Sequence, residues 1–300
     1  MRKLIFICLF LLSGLTLTSA QIALSFNPKK GSKYEYQTKT IQMVKQSFMG
    51  QEMPMETGMS MSYIMDVKEK NHEGSMVQYT YRNISYTVSS PMMKMGYDSE
   101  NPVENPTELD QILEKMFGSL IGKPFEVRIA PDGSVISLTG MDAIAESMVQ
   151  SASSENQMGA QIAASMKQQF NDAAMKDMFE QSLKIYPAGT VKPGDSWNTE
   201  QALSISGMMN MTTKIKYTLT EVKKNAAAVA MESTINMKPG MNMEGDLTGT
   251  QTGTMQVDIK TGMPVSTEIT QNIKGSIKAQ GIDILMDMTS KIKTSIKEIN

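Results

Sequence analysis

The sequence predicts an α+β fold: a long-stranded, strongly curved antiparallel sheet or open barrel made from two repeated halves, with a helical insertion packed on the concave face. Three observations predict this fold. Long segments alternate between apolar and polar residues, a helical region lies in the middle of the chain, and short motifs recur in the same order in both halves. With 40% apolar residues among 300, the chain can bury a core.

Strands are predicted where apolar and polar residues alternate with a period of two, the pattern of a half-buried strand. The alternation is clearest over residues 59–67, 77–81, 282–288 and 292–296. A polar turn at 71–74 separates the first two segments, so we expect them to form a hairpin. One apolar face and one polar face are typical of an antiparallel sheet that is covered on one side.

Three helices are predicted in the middle of the chain. The first begins at Thr107 and reaches about Leu120, the second begins near Met141, and a longer third helix runs from about Met158 to Ile185. The third helix carries an apolar stripe formed by Ile162, Met166, Phe170, Met178 and Leu183. Because such a stripe has to be covered, we expect the helices to pack against the concave face of the sheet.

Recurring motifs indicate an internal duplication. They pair Lys29–Tyr34 with Lys192–Trp197, Val67–Asn71 with Val222–Asn225, and Val127–Val135 with Val257–Val265. We interpret residues 21–300 as one domain with a first β meander (21–106), a helical insertion (107–190) that includes a hairpin at 123–138, and a second β meander (191–300). A sheet of about ten long strands must curl or close.

The first twenty residues have the features of a secretory signal peptide. Arg2 and Lys3 precede an apolar run from Leu4 to Leu17, and small residues follow up to Ala20. The apolar run is shorter than the roughly 20 residues of a membrane-spanning helix. We therefore expect an exported protein, periplasmic or secreted, with no transmembrane anchor after the signal peptide is cleaved.

The charge balance argues against a nucleic-acid partner. The chain has 29 Lys and Arg against 31 Asp and Glu, and removal of Arg2 and Lys3 with the signal peptide leaves 27 − 31 = −4. Nucleic-acid binding depends on clustered Lys and Arg that neutralise phosphates. A mildly acidic chain does not offer that surface.

The residues that most enzymes and metal sites require are scarce. Cys8 is the single cysteine and lies in the predicted signal peptide, and His72 is the single histidine and lies in a predicted turn. Nucleophile–base catalysis and zinc or iron sites need more than this. The evenly spaced Gly245, Gly249 and Gly253 lack the Gly-Lys-Ser/Thr of a phosphate loop and are interpreted as a polar, flexible strand or loop. We expect a non-enzymatic protein with no cofactor and no metal site.

Methionine is the unusual feature, with 30 residues that cluster near 49–65, 92–95, 208–211 and 237–243. One interpretation is plain core packing, since Met fills irregular gaps. A second is a pliable apolar cavity for an acyl chain or another hydrophobic ligand. A third is Cu(I) binding by thioethers, which requires loops, because Met-x-Met on a strand places its sulfurs about 7 Å apart.

The second interpretation predicts a ligand site on the apolar strand faces. The candidate residues, to which we assign only apolar contact, are Met59, Met61, Met65, Tyr79, Tyr81, Ile284, Met286 and Met288. The expected ligand is a lipid or the acyl chain of a lipoprotein. The alternative from another class is a structural or protein-binding component of the cell envelope.

Three motifs resemble one uncharacterised family. They are Lys-x-Gly-Asp-x-Trp at 192–197 after Tyr-Pro, Met-Gly-Gln-Glu-Met-Pro-Met at 49–55, and the hairpin Ala-Pro-Asp-Gly-Ser-Val at 130–135. The family consists of exported Gram-negative bacterial proteins with a domain of unknown function, and the resemblance implies an envelope or secreted location but no activity. In overall shape the predicted fold is also similar to periplasmic lipoprotein-carrier half-barrels, a likeness that does not determine function.

Overall fold

The computed structural model describes residues 21–48, 50–153, 157–205, 209–240, 243–279 and 281–299. The predicted signal peptide, residues 1–20, lies outside this part of the chain. None of the helices within the described ranges is long and apolar enough to cross a membrane.

Within those ranges the chain forms twelve strands and four helices. The strands are β1 (Lys33–Phe48), β2 (Gln51–Lys70), β3 (Ser75–Ser89), β4 (Lys94–Asp98), β5 (Pro124–Ile129), β6 (Val135–Thr139), β7 (Ser196–Ile205), β8 (Met209–Lys223), β9 (Ala226–Pro239), β10 (Met243–Asp258), β11 (Pro264–Ala279) and β12 (Ile282–Ile299). The helices are α1 (Glu108–Gly118), α2 (Met141–Ser153), α3 (Gln157–Gln169) and α4 (Asp172–Leu183).

All twelve strands belong to one antiparallel sheet. Its order is β6-β5-β3-β2-β1-β12-β11-β10-β9-β8-β7, and β4 pairs with β3 beside this path. The edge strands β6 and β7 do not pair with each other in the described part of the chain, so the sheet is not closed. The prediction of one long-stranded antiparallel sheet with helices is confirmed.

The sheet is strongly curved. Tyr79 and Tyr81 of β3 line the same cavity as Ile215 and Tyr217 of β8, although seven strand intervals separate β3 from β8. In a flat sheet those strands would lie about 34 Å apart, given a spacing of about 4.8 Å between neighbours. The two halves of the sheet therefore face each other across its concave side, and α4 contacts both edge strands.

Glycines allow β10 and β11 to approach closely. Gly249 and Gly253 lie opposite Ile273 and Ile269 on the concave face. A Cβ atom on Gly249 would lie 2.3 Å from the backbone carbonyl oxygen of Asn272 in β11. A Cβ atom on Gly253 would lie 2.6 Å from that of Glu268 in the same strand. The segment is thus a regular strand rather than a loop, and its glycines permit a close backbone contact.

A segment before β1 ties two hairpins together at one end of the sheet. We call this the near end; it contains the β2–β3, β5–β6, β8–β9 and β10–β11 turns. The backbone N–H of Phe26 donates to the carbonyl of Pro131 at 2.7 Å in the β5–β6 turn, and that of Asn27 donates to Thr261 at 2.8 Å in the β10–β11 turn. The opposite end, where β1 meets β2 and β11 meets β12, is the far end.

The long third helix predicted over 158–185 is wrong, because the chain forms α3 and α4 there. Asn171 has an extended backbone and its side chain accepts a hydrogen bond from the Ala174 N–H at 2.8 Å, which caps α4. The predicted apolar stripe is also wrong at Met178, which is 48% exposed. Ile162 and Phe170 pack against the core as predicted, and the side chain of Met166 lies outside the described set.

In the described part of the chain, buried apolar side chains form three clusters. The largest joins α1, α2 and α4 to β1–β6, and a second packs the segment around Leu24 and Val191 against β8–β10. The third, which we call the far-end cluster, contains strand residues only: Ile235, Leu247, Ile273 and Ile277 at its centre, with Met209, Met211, Met237, Met286 and Met288 packed around them.

Two turns that belong to the predicted repeat have the same geometry. Gly31, before β1, has φ of +84° and donates its N–H to Val67 at 2.8 Å. Gly194, before β7, has φ of +97° and donates its N–H to Leu219 at 2.8 Å. Each acceptor lies beside a β-bulge. This likeness concerns two turns, and the duplication of whole halves stays a prediction.

Candidate functional site

A cavity of about 560 Å³ lies between the concave face of the sheet and α4. Its volume falls within the range of small-molecule sites, roughly 300–1,000 Å³. The described residues that line it are Tyr36, Thr38, Met61, Tyr63, Tyr79, Tyr81, Phe125, Met178, Phe179, Gln181, Ser182, Leu183, Ile185, Gln201, Ile215, Tyr217, Met231, Gln251, Met255, Pro264, Thr267, Ile269, Ile292, Thr294 and Ile296.

One wall of the cavity is a continuous aromatic cluster. Tyr36 stacks on Tyr63 with ring centroids 4.9 Å apart, and Tyr79 stacks on Phe125 at 5.4 Å. Phe179 of α4 meets Tyr79 edge-on at 5.0 Å, so the helix is fixed to this wall by an aromatic contact. Such pairs add about 0.5–1.5 kcal/mol each beyond the area that they bury.

The opposite wall is aliphatic and sulfur-bearing. Ile215, Met231, Met255, Ile269 and Ile292 come from five neighbouring strands, β8 to β12, and all point to the concave face. Met side chains re-pack easily because their torsions are soft and the thioether is polarizable. The cavity therefore combines a rigid wall with a more adaptable one.

Burial keeps the tyrosine hydroxyls of the cavity uncharged. Loss of solvation raises the pKa of Tyr36, Tyr63 and Tyr79 well above 10.0, and neighbouring tyrosines add to the effect. Burial also raises the pKa of Tyr81 to about 12. These side chains are therefore neutral hydrogen-bonding groups around neutral pH.

The seam between α4 and β7 is held by two glutamines. The Gln201 amide donates to the backbone carbonyl of Gln181 at 2.6 Å, and the Gln181 amide donates to the carbonyl of Ala202 at 3.3 Å. On its other side α4 packs more extensively, against β6. The α4–β7 seam is thus the polar side of the cavity roof.

Of the eight predicted ligand residues, the structure brings Met61, Tyr79 and Tyr81 into this cavity. Met65 is fully buried in the core, and Met59 lies on the same strand face but outside the lining. The other three do not line this cavity either: Ile284, Met286 and Met288.

The reason for the last difference is strand length. β12 spans 18 residues, and the part that lines the cavity begins at Ile292. At about 3.3 Å per residue, Met288 lies roughly 13 Å and Ile284 roughly 26 Å farther along the strand. Met286 and Met288 pack against the far-end cluster instead.

Sequence reasoning missed most of the aromatic wall. Tyr36, Tyr63, Phe125 and Phe179 come from β1, β2, β5 and α4, so only the folded chain brings them together. Alternation did place Tyr63 on the apolar face of its strand. Phe125 alternates with Val127 and Ile129 in the predicted hairpin, so the same signal was present there. For Phe179 the sequence carries no comparable signal.

The described residues also bear on metal binding and catalysis. They contain no group of three or more His, Cys, Asp or Glu side chains that would hold a metal ion. His72 is exposed in the β2–β3 turn, as predicted. The Cu(I) interpretation needs Met53 and Met55 in a loop, but both lie within β2. Neighbouring positions on one face of a strand are about 7 Å apart.

A protein-family model matches more than half of the chain. Residues 73–264 match the model described as "Family of unknown function (DUF6263)". The chain belongs to this family. The expected membership of a family of unknown function is thereby confirmed, and the family description supplies no activity. None of the curated proteins matches the chain.

Solved structures with a similar arrangement are distant. Lipovitellin, in a structure titled "Lipid-protein interactions in lipovitellin", aligns over 90% of this chain with 8% identity and a TM-score of 0.48, and the chain spans about a quarter (26%) of it. OprG, an outer membrane protein of Pseudomonas aeruginosa, aligns over 91% of this chain and 98% of its own with 4% identity and a TM-score of 0.26.

A third structure, the β domain of the Bordetella autotransporter BrkA, aligns over 86% of this chain and 98% of its own, with 6% identity and a TM-score of 0.21. Because all three TM-scores lie below 0.5, we infer nothing about function from them.

Proposed function

We propose that this protein is an exported, non-enzymatic binder of a hydrophobic ligand, a lipid or an acyl chain, which occupies the cavity under α4. One observation carries the proposal: a cavity of about 560 Å³ lined mostly by aromatic, aliphatic and methionine side chains. Cavities of this size and composition are the usual sites of apolar small molecules.

The lining favours an apolar guest over water. A stable buried water needs two to four polar partners, and apolar cavities tend to stay empty until an apolar molecule fills them. Phe125 and Ile269 offer water no hydrogen-bonding partner. The amides of Gln181 and Gln201 already donate across the α4–β7 seam. A ligand that fills the cavity removes apolar surface from water, which stabilises the complex by about 25 cal/mol for each Å² buried.

Uptake of a long-chain alcohol with a fluorescent tail tests the proposal. Ile292→Trp places a larger side chain on the lining of the cavity, whereas Lys291→Trp puts the same side chain on the exposed face of the same strand. We expect Ile292→Trp to weaken binding at least tenfold, about 1.4 kcal/mol, and Lys291→Trp to leave it unchanged.

The control for folding is circular dichroism of both variants through thermal unfolding. Native mass spectrometry of protein purified from cells should also show a co-purified apolar ligand. No uptake by the native protein, or equal uptake by both variants, would count against the cavity as a ligand site. Cell fractionation with N-terminal sequencing tests export and cleavage after Ala20.

A further inference from the structure

Among the described residues, the cavity lining has no side chain that is charged at neutral pH. Asp, Glu, Lys, Arg and His are absent from the described residues around it, and its tyrosines are kept protonated by burial. A carboxylate or phosphate placed there would lose its hydration without gaining a cation. Burial of an unpaired charge costs several kcal/mol or more, and usually forces the group to become neutral.

The polar side chains of the lining are neutral, and several already have partners. The hydroxyls of Thr38 and Thr294 lie 3.2 Å apart and form a hydrogen bond. The amides of Gln181 and Gln201 donate to backbone carbonyls across the α4–β7 seam. What remains suits a hydroxyl or an ester carbonyl, since neutral donors satisfy such groups with single hydrogen bonds.

The charged groups beside the α4–β7 seam largely pair with one another. A shallow hollow beside the α4–β7 seam shares Gln181 and Gln201 with the cavity, and its charged residues are Asp177, Glu180, Glu200 and Lys184. Lys184 is already placed with its ammonium 3.8 Å from the carboxylate of Glu180. Lys176 lies 3.9 Å from the same side chain, and Lys214 is the cross-strand partner of Glu200. These lysines therefore already face acids and are not spare partners for a ligand anion.

Building on the proposed function, we infer that the ligand is an uncharged lipid, such as a long-chain alcohol, ester or glyceride, and that free fatty acids and other anionic amphiphiles are excluded. The inference narrows the ligand to one chemical class. It follows from the composition of the cavity wall.

The experiment compares three ligands that share one chain length: the fatty alcohol, the methyl ester and the carboxylate. Each ligand is titrated against the fluorescent alcohol bound to the full-length mature protein at pH 8, and displacement of the alcohol is measured. We expect the alcohol and the ester to compete at least tenfold more strongly than the carboxylate. Equal or stronger competition by the carboxylate would overturn the inference and leave the proposed function standing. Failure of all three to bind would overturn the proposed function as well.

A charge introduced into the wall sharpens the test. Gln251→Lys places an ammonium on the cavity lining, whereas Thr252→Lys places it on the exposed face of the same strand. Gln251→Lys should raise the affinity for the carboxylate relative to the alcohol about tenfold, and Thr252→Lys should not. Thr267→Lys, at a second lining position, repeats the test if the first variant does not fold. An unchanged preference in a folded lining variant would contradict the inference.

Discussion

The two ends of the concave face are built differently. Toward the near end, aromatic rings pack under α4, and Tyr79 and Phe125 are at most 3% exposed. Toward the far end, the apolar face is formed by strand residues, and methionines that are only partly buried surround four aliphatic side chains. Among the described residues, aromatic rings thus concentrate where helices cover the sheet, whereas the far-end cluster contains no ring and surrounds its aliphatic centre with thioethers.

The methionines of this chain therefore have two structural roles. Met65, Met141 and Met148 are ordinary core residues with at most 1% exposure, which matches the packing interpretation. The far-end methionines, such as Met237 and Met286, form instead a soft border on an uncovered strand surface. The cavity itself draws mainly on aromatic and aliphatic residues, whereas the composition alone predicted a cavity lined by methionine.

The largest expected effect comes from truncation in the aromatic wall. Phe125→Ala removes a side chain that contacts Tyr79 and Phe179, and we expect a loss of about 3–5 kcal/mol in the free energy of unfolding. Met286→Ala, in the partly buried border of the far-end cluster, should cost less than about 2 kcal/mol. Urea unfolding of both variants measures the difference. Equal losses would remove the distinction between the two ends.

Much of the fold, but little of the cavity, is predictable from the sequence. Alternation over residues 59–67 and 292–296 correctly marks strand faces, because a half-buried strand imposes a period of two. The break at Asn171 was missed, since a single capping residue inside an apolar pattern is a weak signal. The cavity depends on how far the sheet curls, because curling brings together strands such as β3 and β8 that are far apart in the sheet order.

An intermediate effect on the free energy of unfolding is expected at alkaline pH, and it arises from the buried tyrosines of the aromatic wall. The folded pKa of Tyr63, Tyr79 and Tyr81 is raised, whereas the unfolded chain titrates near pH 10. Below pH 10 both states hold these protons, so stability does not change with pH through them. Above pH 10 the unfolded chain loses protons that the folded chain retains, and stability falls.

The slope should reach up to about 1.4 kcal/mol per pH unit for each tyrosine that stays protonated, until its folded pKa is passed. Unfolding free energies from pH 8 to 11 measure it, and Tyr79→Phe is the matched control because it removes one titrating hydroxyl from the wall. A decline of the same steepness in the native protein and in Tyr79→Phe would assign the effect to other groups.

The smallest effect on stability is expected from mild oxidation, which separates the two kinds of methionine. Peroxide converts exposed thioethers to sulfoxides first. Met92, which is 86% exposed, should react fastest, the far-end Met237 and Met286 should follow, and Met65 and Met148 should react last. Peptide mapping by mass spectrometry gives the order. If Met237 and Met286 were as slow as Met65, the far end would be as firmly packed as the near end, and the soft border that distinguishes it would not exist.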